Sequence, residues 1–347
     1  MTLPPLEELR ASARVVALPM RVRFRGTRVR EVLLLHGPAG WGEFGAFGEY
    51  ADDEASWWLA SAIEAAWSGW PEPLRHSVTV NATVPAIAPG RVAGVLEAFP
   101  GCTTAKVKVA EAGQTPADDV ARVAEVRALL GPSAAIRVDA NGAWDVGTAL
   151  AALTALARHG LEYAEQPCAT LEEMRELRRR LAAARVDVPL AADESIRKAD
   201  DPFAVAASGA VEVAVVKVPP LGGVRRTLAV ADRLRGEHGL VVVVSSALDS
   251  GVGMAAGLAA AAALPDEPPA CGLATAGLLA RDVVRPPLVP ERGRLPVGAR
   301  TPDPAALADL AVPADRRTWW LDRLARCHAV LERRERAVAG ATIWDLV

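Results

Sequence analysis

The sequence predicts an α/β fold: a (β/α)8-type barrel carrying an N-terminal α+β capping domain. Three observations carry that expectation. From His76 onward, short apolar runs alternate with helix-like runs, giving eight βα-like units, and such alternation builds a parallel sheet that closes as a barrel. Five successive strand-like runs end in charged residues. The steps from Lys108 to Asp139, Glu165, Asp193 and Lys217 are 31, 26, 28 and 24 residues, each close to the roughly 30 residues of one βα unit. The first 75 residues lack this rhythm and read as a separate, strand-led unit.

Residues 1–75 are assigned to the cap. Runs 15–24 and 31–36 alternate as antiparallel strands about the turn Arg25-Gly26-Thr27. Residues 37–47, rich in glycine and aromatics, are expected as a loop. Its part from Trp41 to Phe47 is either a mobile loop closing the barrel mouth or a structural turn. Residues 56–67 carry apolar positions at helical spacing.

Residues 76–285 are assigned to the barrel. Strands are expected at 78–81, 105–109, 134–141, 163–167, 190–194, 215–218, 241–245 and 270–274. Helices follow the first seven near 90–99, 116–130, 144–158, 171–184, 201–207, 223–235 and 253–264. Residues 286–347 form a C-terminal segment that packs back on cap or barrel, with one helix over 318–338.

Composition narrows the function classes. At 51% apolar and 23% charged, this is the balance of an ordinary globular protein. A net charge of -3 gives no electrostatic case for nucleic acid or an anionic membrane. The four cysteines are scattered with no CxxC pair, as in a reduced, cytoplasmic chain. No signal peptide is evident, and the alanine-rich run 253–264 is too short to cross a bilayer. The expected partner is a small-molecule carboxylate substrate; the oligomeric state is left open.

The charged strand ends suggest chemistry. Side chains alternate along a strand, so Arg137, Asp139 and Asn141 share a face. Asp139, Glu165 and Asp193, on consecutive strands, would converge on the barrel mouth and need a cation. Oxygen-only donors suit Mg²⁺, with Mn²⁺ able to substitute. The competing assignment is ion pairing with Lys108, Lys217 and Arg137; three carboxylates in phase with the repeat favour the metal. Lys108 and Lys217 flank the carboxylates, where low-dielectric walls and neighbouring cations favour a neutral lysine able to act as a base. Lys106 either tunes Lys108, bonds substrate or only supports the site. Arg137 and Asn141 either touch substrate or support the carboxylates. Ser245, ahead of a helix, either helps to bind a carboxylate or belongs to the helix entry. Glu194 follows Asp193 and points away from it. Such a site suits proton abstraction next to a carboxylate, with metal and second lysine stabilising the enediolate.

As a set, Lys106-x-Lys108, Asp139-x-Asn141, Glu165-Gln166-Pro167, Asp193-Glu194-Ser195 and Lys217-x-Pro219 resemble the muconate-lactonising subgroup of the enolase superfamily. The resemblance covers the barrel, and the N-terminal unit is similar to that superfamily's capping domain. The end of strand seven reads Ser245-Ser246, with no histidine, unlike the mandelate-racemase pattern. Arg23-Phe24-Arg25-Gly26, the run 40–44 and Arg137-x-Asp139 are similar to actinobacterial members that form o-succinylbenzoate. The run 271–276 lacks the acidic motif of dipeptide epimerases. The resemblance therefore implies Mg²⁺-dependent dehydration of 2-succinyl-6-hydroxy-2,4-cyclohexadiene-1-carboxylate in menaquinone synthesis. Lys108 would move the proton and Lys217 would sit opposite as a cation. N-acylamino acid racemisation and dipeptide epimerisation are the rivals within the subgroup. A Schiff-base lyase or a non-catalytic binding protein are the rivals outside it.

Overall fold

The computed structural model describes residues 2–24, 26–197, 202–337 and 342–345. Arg25, Asp201 and Val338, which bound three of the expected elements, lie outside the described residues.

The chain opens with α1 (Leu6–Ser12) and an antiparallel sheet of β1 (Arg14–Phe24), β2 (Thr27–Gly37) and β3 (Gly40–Phe44), in that order. β3 corrects the expected loop over 37–47. Gly40 takes the turn between β2 and β3 with φ of 133°, whereas Gly42 of β3 and Gly37 at the end of β2 serve close packing. A Cβ on Gly42 would lie 2.0 Å from the Ala62 carbonyl oxygen, and one on Gly37 would lie 2.5 Å from that of Ala66. Only glycine lets this edge of the sheet lie against α2 (Asp52–Ile63), which runs on into a π-helical turn, Glu64–Ser68.

The barrel strands follow. β4 (Ser77–Thr79) pairs antiparallel with β12 (Arg294–Pro296), while β5 (Ala82–Val84) takes the first barrel position. The single strand expected at 78–81 is thus two short ones. β6 (Thr104–Lys108), β7 (Ala135–Asp139), β8 (Leu161–Glu165), β9 (Leu190–Ala192), β10 (Val213–Lys217) and β11 (Val241–Ser245) complete a seven-stranded parallel sheet in sequential order. The eighth position is a two-residue closure instead of a strand over 270–274. Cys271 bridges to Val80 and Gly272 to Ser245, both parallel. Asn81 N donates to Cys271 O at 2.9 Å and Gly272 N to Val244 O at 2.9 Å, joining the two edges.

The helices α3 (Val92–Leu96), α4 (Pro116–Leu130), α5 (Val146–Ala157), α6 (Leu171–Ala183), α7 (Glu194–Arg197), α8 (Ala204–Ser208), α9 (Val218–Leu221), α10 (Val224–Gly236) and α11 (Gly251–Ala263) connect the strands. Capping boxes start two of them: Thr115 with Asp118 on α4, and Thr170 with Glu173 on α6. Alternate residues of the strands, such as Val107, Val138, Ala164 and Val216, pack outward in one core with Val123, Leu153 and Leu177 from the helices. The opposite face turns into the lumen, where Tyr163, Ala191, Val213, Val215 and Val243 form a small apolar cluster.

The last segment finishes the cap. α12 (Pro304–Asp309) leads to α13 (Ala314–Ala337), whose Leu324, Cys327 and Leu331 share a core with Trp58, Leu59 and Ile63 of α2. Trp320 donates from Nε1 to Glu31 at 3.0 Å and stacks edge-on to Phe44. Arg323 donates to the carbonyls of Ala46, Phe47 and Tyr50. Among the described residues, no helix is long and apolar enough to cross a membrane.

Candidate active site

The carboxyl ends of the strands bring the charged residues together. Lys108 pairs with Asp139, and Asp139 with Glu165, across β6, β7 and β8. Asp193 follows the last residue of β9, and Lys217 ends β10 opposite Ser245 of β11. Asp139, Glu165 and Asp193 are 1%, 0% and 0% exposed, so each needs a counter-charge within the protein.

Lysines supply most of it. Lys106 Nζ donates to both oxygens of Glu165, at 2.9 and 3.0 Å, and lies 3.3 Å from Asp139 Oδ2. Lys108 Nζ donates to Asp139 Oδ2 at 2.5 Å and Asn141 Oδ1 at 2.7 Å. Lys217 Nζ donates to Asp193 Oδ2 at 2.5 Å, while Arg197 Nε takes the other oxygen at 3.1 Å. The expected ring of three carboxylates about one ion is not drawn: among the described residues no group of three acidic, thiol or imidazole side chains is gathered closely enough to hold a metal. The ammonium groups stand between the carboxylates instead, because they are the cations the chain itself offers.

The donor set still fits a hard dication. All three carboxylates are buried at one barrel mouth and present oxygen alone. The Lys106 ammonium already bridges two of them, as a small cation would. Burial and the Asp139 charge push the Glu165 carboxyl up to about 7, against the pull of Lys106. Burial would also raise Asp139, but Lys108 and Lys106 outweigh it and hold that carboxyl far below its usual range. Lys217 and Arg197 do the same for Asp193. Burial would lower the Lys106 ammonium; Glu165 and Asp139 raise it instead.

Residues beyond the expected set brace the site. Arg197 also donates to Glu194 Oε1 at 2.6 Å and to the Tyr50 hydroxyl of the cap at 2.8 Å. Asn141 Nδ2 reaches the same Glu194 oxygen at 3.2 Å. Gln166 Oε1 accepts from the backbone of Asp193 and Ser195, at 3.0 and 3.2 Å. Asn141, Gln166 and Leu248 carry φ of 49°, 40° and 66° just past their strands. Such backbone strain, about 1–3 kcal/mol each, gathers where side chains are held for function. Arg197 carried no signal in the sequence, since its partner is fixed only by the turn of α7. Gln166 lay inside a recognised motif but next to a more conspicuous glutamate.

Arg137 belongs elsewhere. A bulge shifts the β7–β8 register at Glu162, so Arg137 faces Tyr163 and Glu162 falls beside it. Arg137 Nε donates to Glu162 at 2.5 Å, Nη1 donates to Ala270 O at 2.5 Å and to Asn81 at 3.2 Å, and the guanidinium lies 4.7 Å from the Tyr163 ring. It shares the lumen with Asp139 but sits one layer deeper, with partners of its own.

Lys106, Lys108, Asp139, Lys217 and Ser245 line one pocket, together with Thr83. The cap contributes Phe24, whose ring lies 5.4 Å from Lys108 Nζ. The loop after β11 contributes Ala247 and Leu248. Arg30, Glu43 and Ser250 tie this loop to the cap: Arg30 Nε donates to Leu248 O at 3.1 Å, and Ser250 donates to Glu43 from both backbone and hydroxyl. The N-terminus of α11 is taken by the protein's own carboxylates, since Gly251 N donates to Asp282 at 2.8 Å.

Comparison with known proteins gives a consistent result. The family described as Enolase C-terminal domain-like matches residues 92–302, and Enolase N-terminal domain-like matches residues 15–66. The chain is 57% identical to the o-succinylbenzoate synthase of Mycobacterium tuberculosis over 330 residues, covering 95% of this chain and 97% of that one. The o-succinylbenzoate synthase of Mycolicibacterium smegmatis is 56% identical over 329 residues, covering 94% and 98%. Among solved structures, muconate lactonizing enzyme from Pseudomonas fluorescens, complexed with muconolactone, superposes with a TM-score of 0.73 at 22% identity, over 87% of this chain and 98% of that one.

Proposed function

The chain belongs to the enolase superfamily, and on that premise we propose that it carries out the o-succinylbenzoate synthase reaction. It dehydrates 2-succinyl-6-hydroxy-2,4-cyclohexadiene-1-carboxylate to o-succinylbenzoate, a step of menaquinone biosynthesis. The observation that carries the reading is the pair Lys108 and Lys217 lining one pocket, on strands that flank the three buried carboxylates, in a chain so similar to the mycobacterial synthases.

Lys108, in its neutral form, takes the proton from the ring carbon that bears the carboxylate. The electrons pass into an enediolate. They then return to the ring as the neighbouring C–O bond breaks, and the Lys108 ammonium delivers the proton to the departing hydroxyl. Hydrogen and hydroxyl leave from one face as water, and the ring becomes aromatic. Lys217 stays protonated on the opposite face and stabilises the negative charge. Asp139, Glu165 and Asp193 would hold Mg²⁺, with Mn²⁺ able to replace it. When bound, the ion supplies positive charge for the substrate carboxylate. Lys106 helps to hold Asp139 ionised and opposes the rise of the Glu165 carboxyl, Asn141 orients Lys108, and Ser245 lies against the substrate. Arg137 holds the lumen beneath them. The substrate is a small carboxylate, and neither nucleic acid nor membrane takes part. The reaction's soluble substrate and the four free, buried cysteines support a cytoplasmic setting.

Turnover of the cyclohexadiene by purified protein, with and without Mg²⁺, tests the proposal. Lys108→Ala and Lys217→Ala should each lower kcat by about 10²–10⁴-fold while the circular dichroism spectrum is unchanged. Metal-independent turnover with a borohydride-trapped lysine adduct would overturn it in favour of Schiff-base chemistry. The facing lysines also support a second reading, N-acylamino acid racemisation with the two alternating as acid and base. Exchange of the α-proton of N-succinylamino acids with solvent, measured beside the dehydration rate, separates the two.

A further inference from the structure

We propose that Thr83 contacts the substrate, its hydroxyl donating a hydrogen bond to a carboxylate oxygen. The proposal deepens the dehydration reading above and rests on it for the identity of the ligand. Thr83 is the middle residue of β5. Its neighbours Ala82 and Val84 join the core between strands and helices, so by alternation Thr83 faces the lumen. It stands opposite Lys106 on β6 and lines the same pocket as Lys108, Lys217 and Asp139.

The hydroxyl is the unusual part. Thr83 is 1% exposed, and its Oγ1 is buried with no hydrogen-bond partner among the described residues. Two other hydroxyls that line the pocket are satisfied within the protein, Ser246 and Thr275 bonding each other at 2.6 Å. Buried hydroxyls are nearly always paired, because an unpaired one forfeits its bond to water. Valine would fill the same shape without that penalty. A threonine kept there points to a partner that arrives with the ligand.

The surroundings define that partner. Lys106, Lys108 and Lys217 line the pocket with Asp139, three cations to one carboxylate, and a hydroxyl facing them donates to an anion that the ligand brings. A carboxylate oxygen is the acceptor the dehydration substrate brings. Hydrogen bonds to a charged group are the stronger kind, and the bond tightens as negative charge grows on that oxygen in the enediolate. Thr83 therefore acts on kcat as well as on binding.

The test compares wild type, Thr83→Val and Thr83→Ser in the presence of Mg²⁺. Thr83→Val should lower kcat/KM by about 10–100-fold, the loss of one hydrogen bond to a charged group. Without ligand it should melt at or above the wild-type temperature, since a buried unpaired hydroxyl has been removed. Its melting shift with o-succinylbenzoate should shrink. Thr83→Ser should keep rate and shift near wild type. Wild-type kcat/KM and an unchanged shift in Thr83→Val would overturn the proposal. So would a lower melting point without ligand, because the hydroxyl would then have a partner inside the protein. An inactive wild type would sink the dehydration reading alone; the Thr83→Val shift with benzoate as the probe then decides the role of Thr83.

Discussion

Lys106 offers the sharpest test of how the carboxylates are balanced. Its ammonium touches both oxygens of Glu165 and reaches Asp139 at 3.3 Å, all three groups being buried. Lys106→Met keeps the stem and removes the charge. Breaking a buried pair from one side leaves an uncompensated charge, at a cost of about 3–5 kcal/mol. Glu165 can escape part of that by binding a proton. Burial and Asp139 already push it up to about 7, and removing Lys106 takes away its main opposing influence. A carboxyl raised in the folded state stabilises fully below its unfolded value near 4.5 and loses that contribution as pH climbs through the folded value. Lys106→Met should therefore lose little stability at about pH 6 and most of the 3–5 kcal/mol at about pH 8, a melting shift on the order of 10 °C. Mg²⁺ restores the missing charge, so its stabilising effect should be larger in the variant than in wild type. Calorimetry at both pH values, with and without millimolar Mg²⁺, reads all of this. Equal melting of variant and wild type at the higher pH, or an equal Mg²⁺ effect, would refute the reasoning.

Two further substitutions probe what holds the pocket in shape. Burial and the nearby Asp249 push Glu43 up to about 8, so its contribution is complete below 4.5 and drains away between there and 8. Glu43→Gln should flatten the fall in melting temperature over that range and exceed wild type at its upper end, as a scan of melting temperature against pH would reveal. Gly272 closes the barrel against Ser245, and a Cβ there would sit 2.4 Å from Ser245 Oγ. Gly272→Ala must displace Ser245 or open the seam, and kcat/KM should fall by about 10-fold or more, with a lower melting temperature; an unchanged kcat/KM would remove Ser245 from the list of substrate contacts.

What was legible in the sequence was what repeats. The strand–helix alternation and the charged strand ends recur once per βα unit, and both depend only on local pattern, so the barrel and the residues at its mouth follow from the sequence. What escaped depends on contacts between distant segments. β3 looked like a loop because Gly42 is explained only by α2, which lies 10 residues or more farther along the chain and presses on it. The eighth strand shrank to Cys271 and Gly272 because two single bridges suffice to join the barrel edges. Arg137 shares a face with Asp139 as alternation requires, yet the bulge at Glu162 supplies it with a separate partner below the site. Alternation gives the face of a side chain, whereas depth and partner depend on the neighbouring strand.

The carboxylates show the same division from the other side. Their spacing announced that they would meet, and they do lie at one mouth, but spacing alone does not say which cations balance them. Two of the four balancing groups were expected to be catalytic, Lys108 and Lys217. One was left open, Lys106, and one was unforeseen, Arg197. Counter-charge and catalysis are therefore not separate inventories here. A lysine that must neutralise Asp139 at 2.5 Å is placed by that need within reach of whatever binds above it. The burial that makes the pairing obligatory also strengthens each charge acting on a substrate.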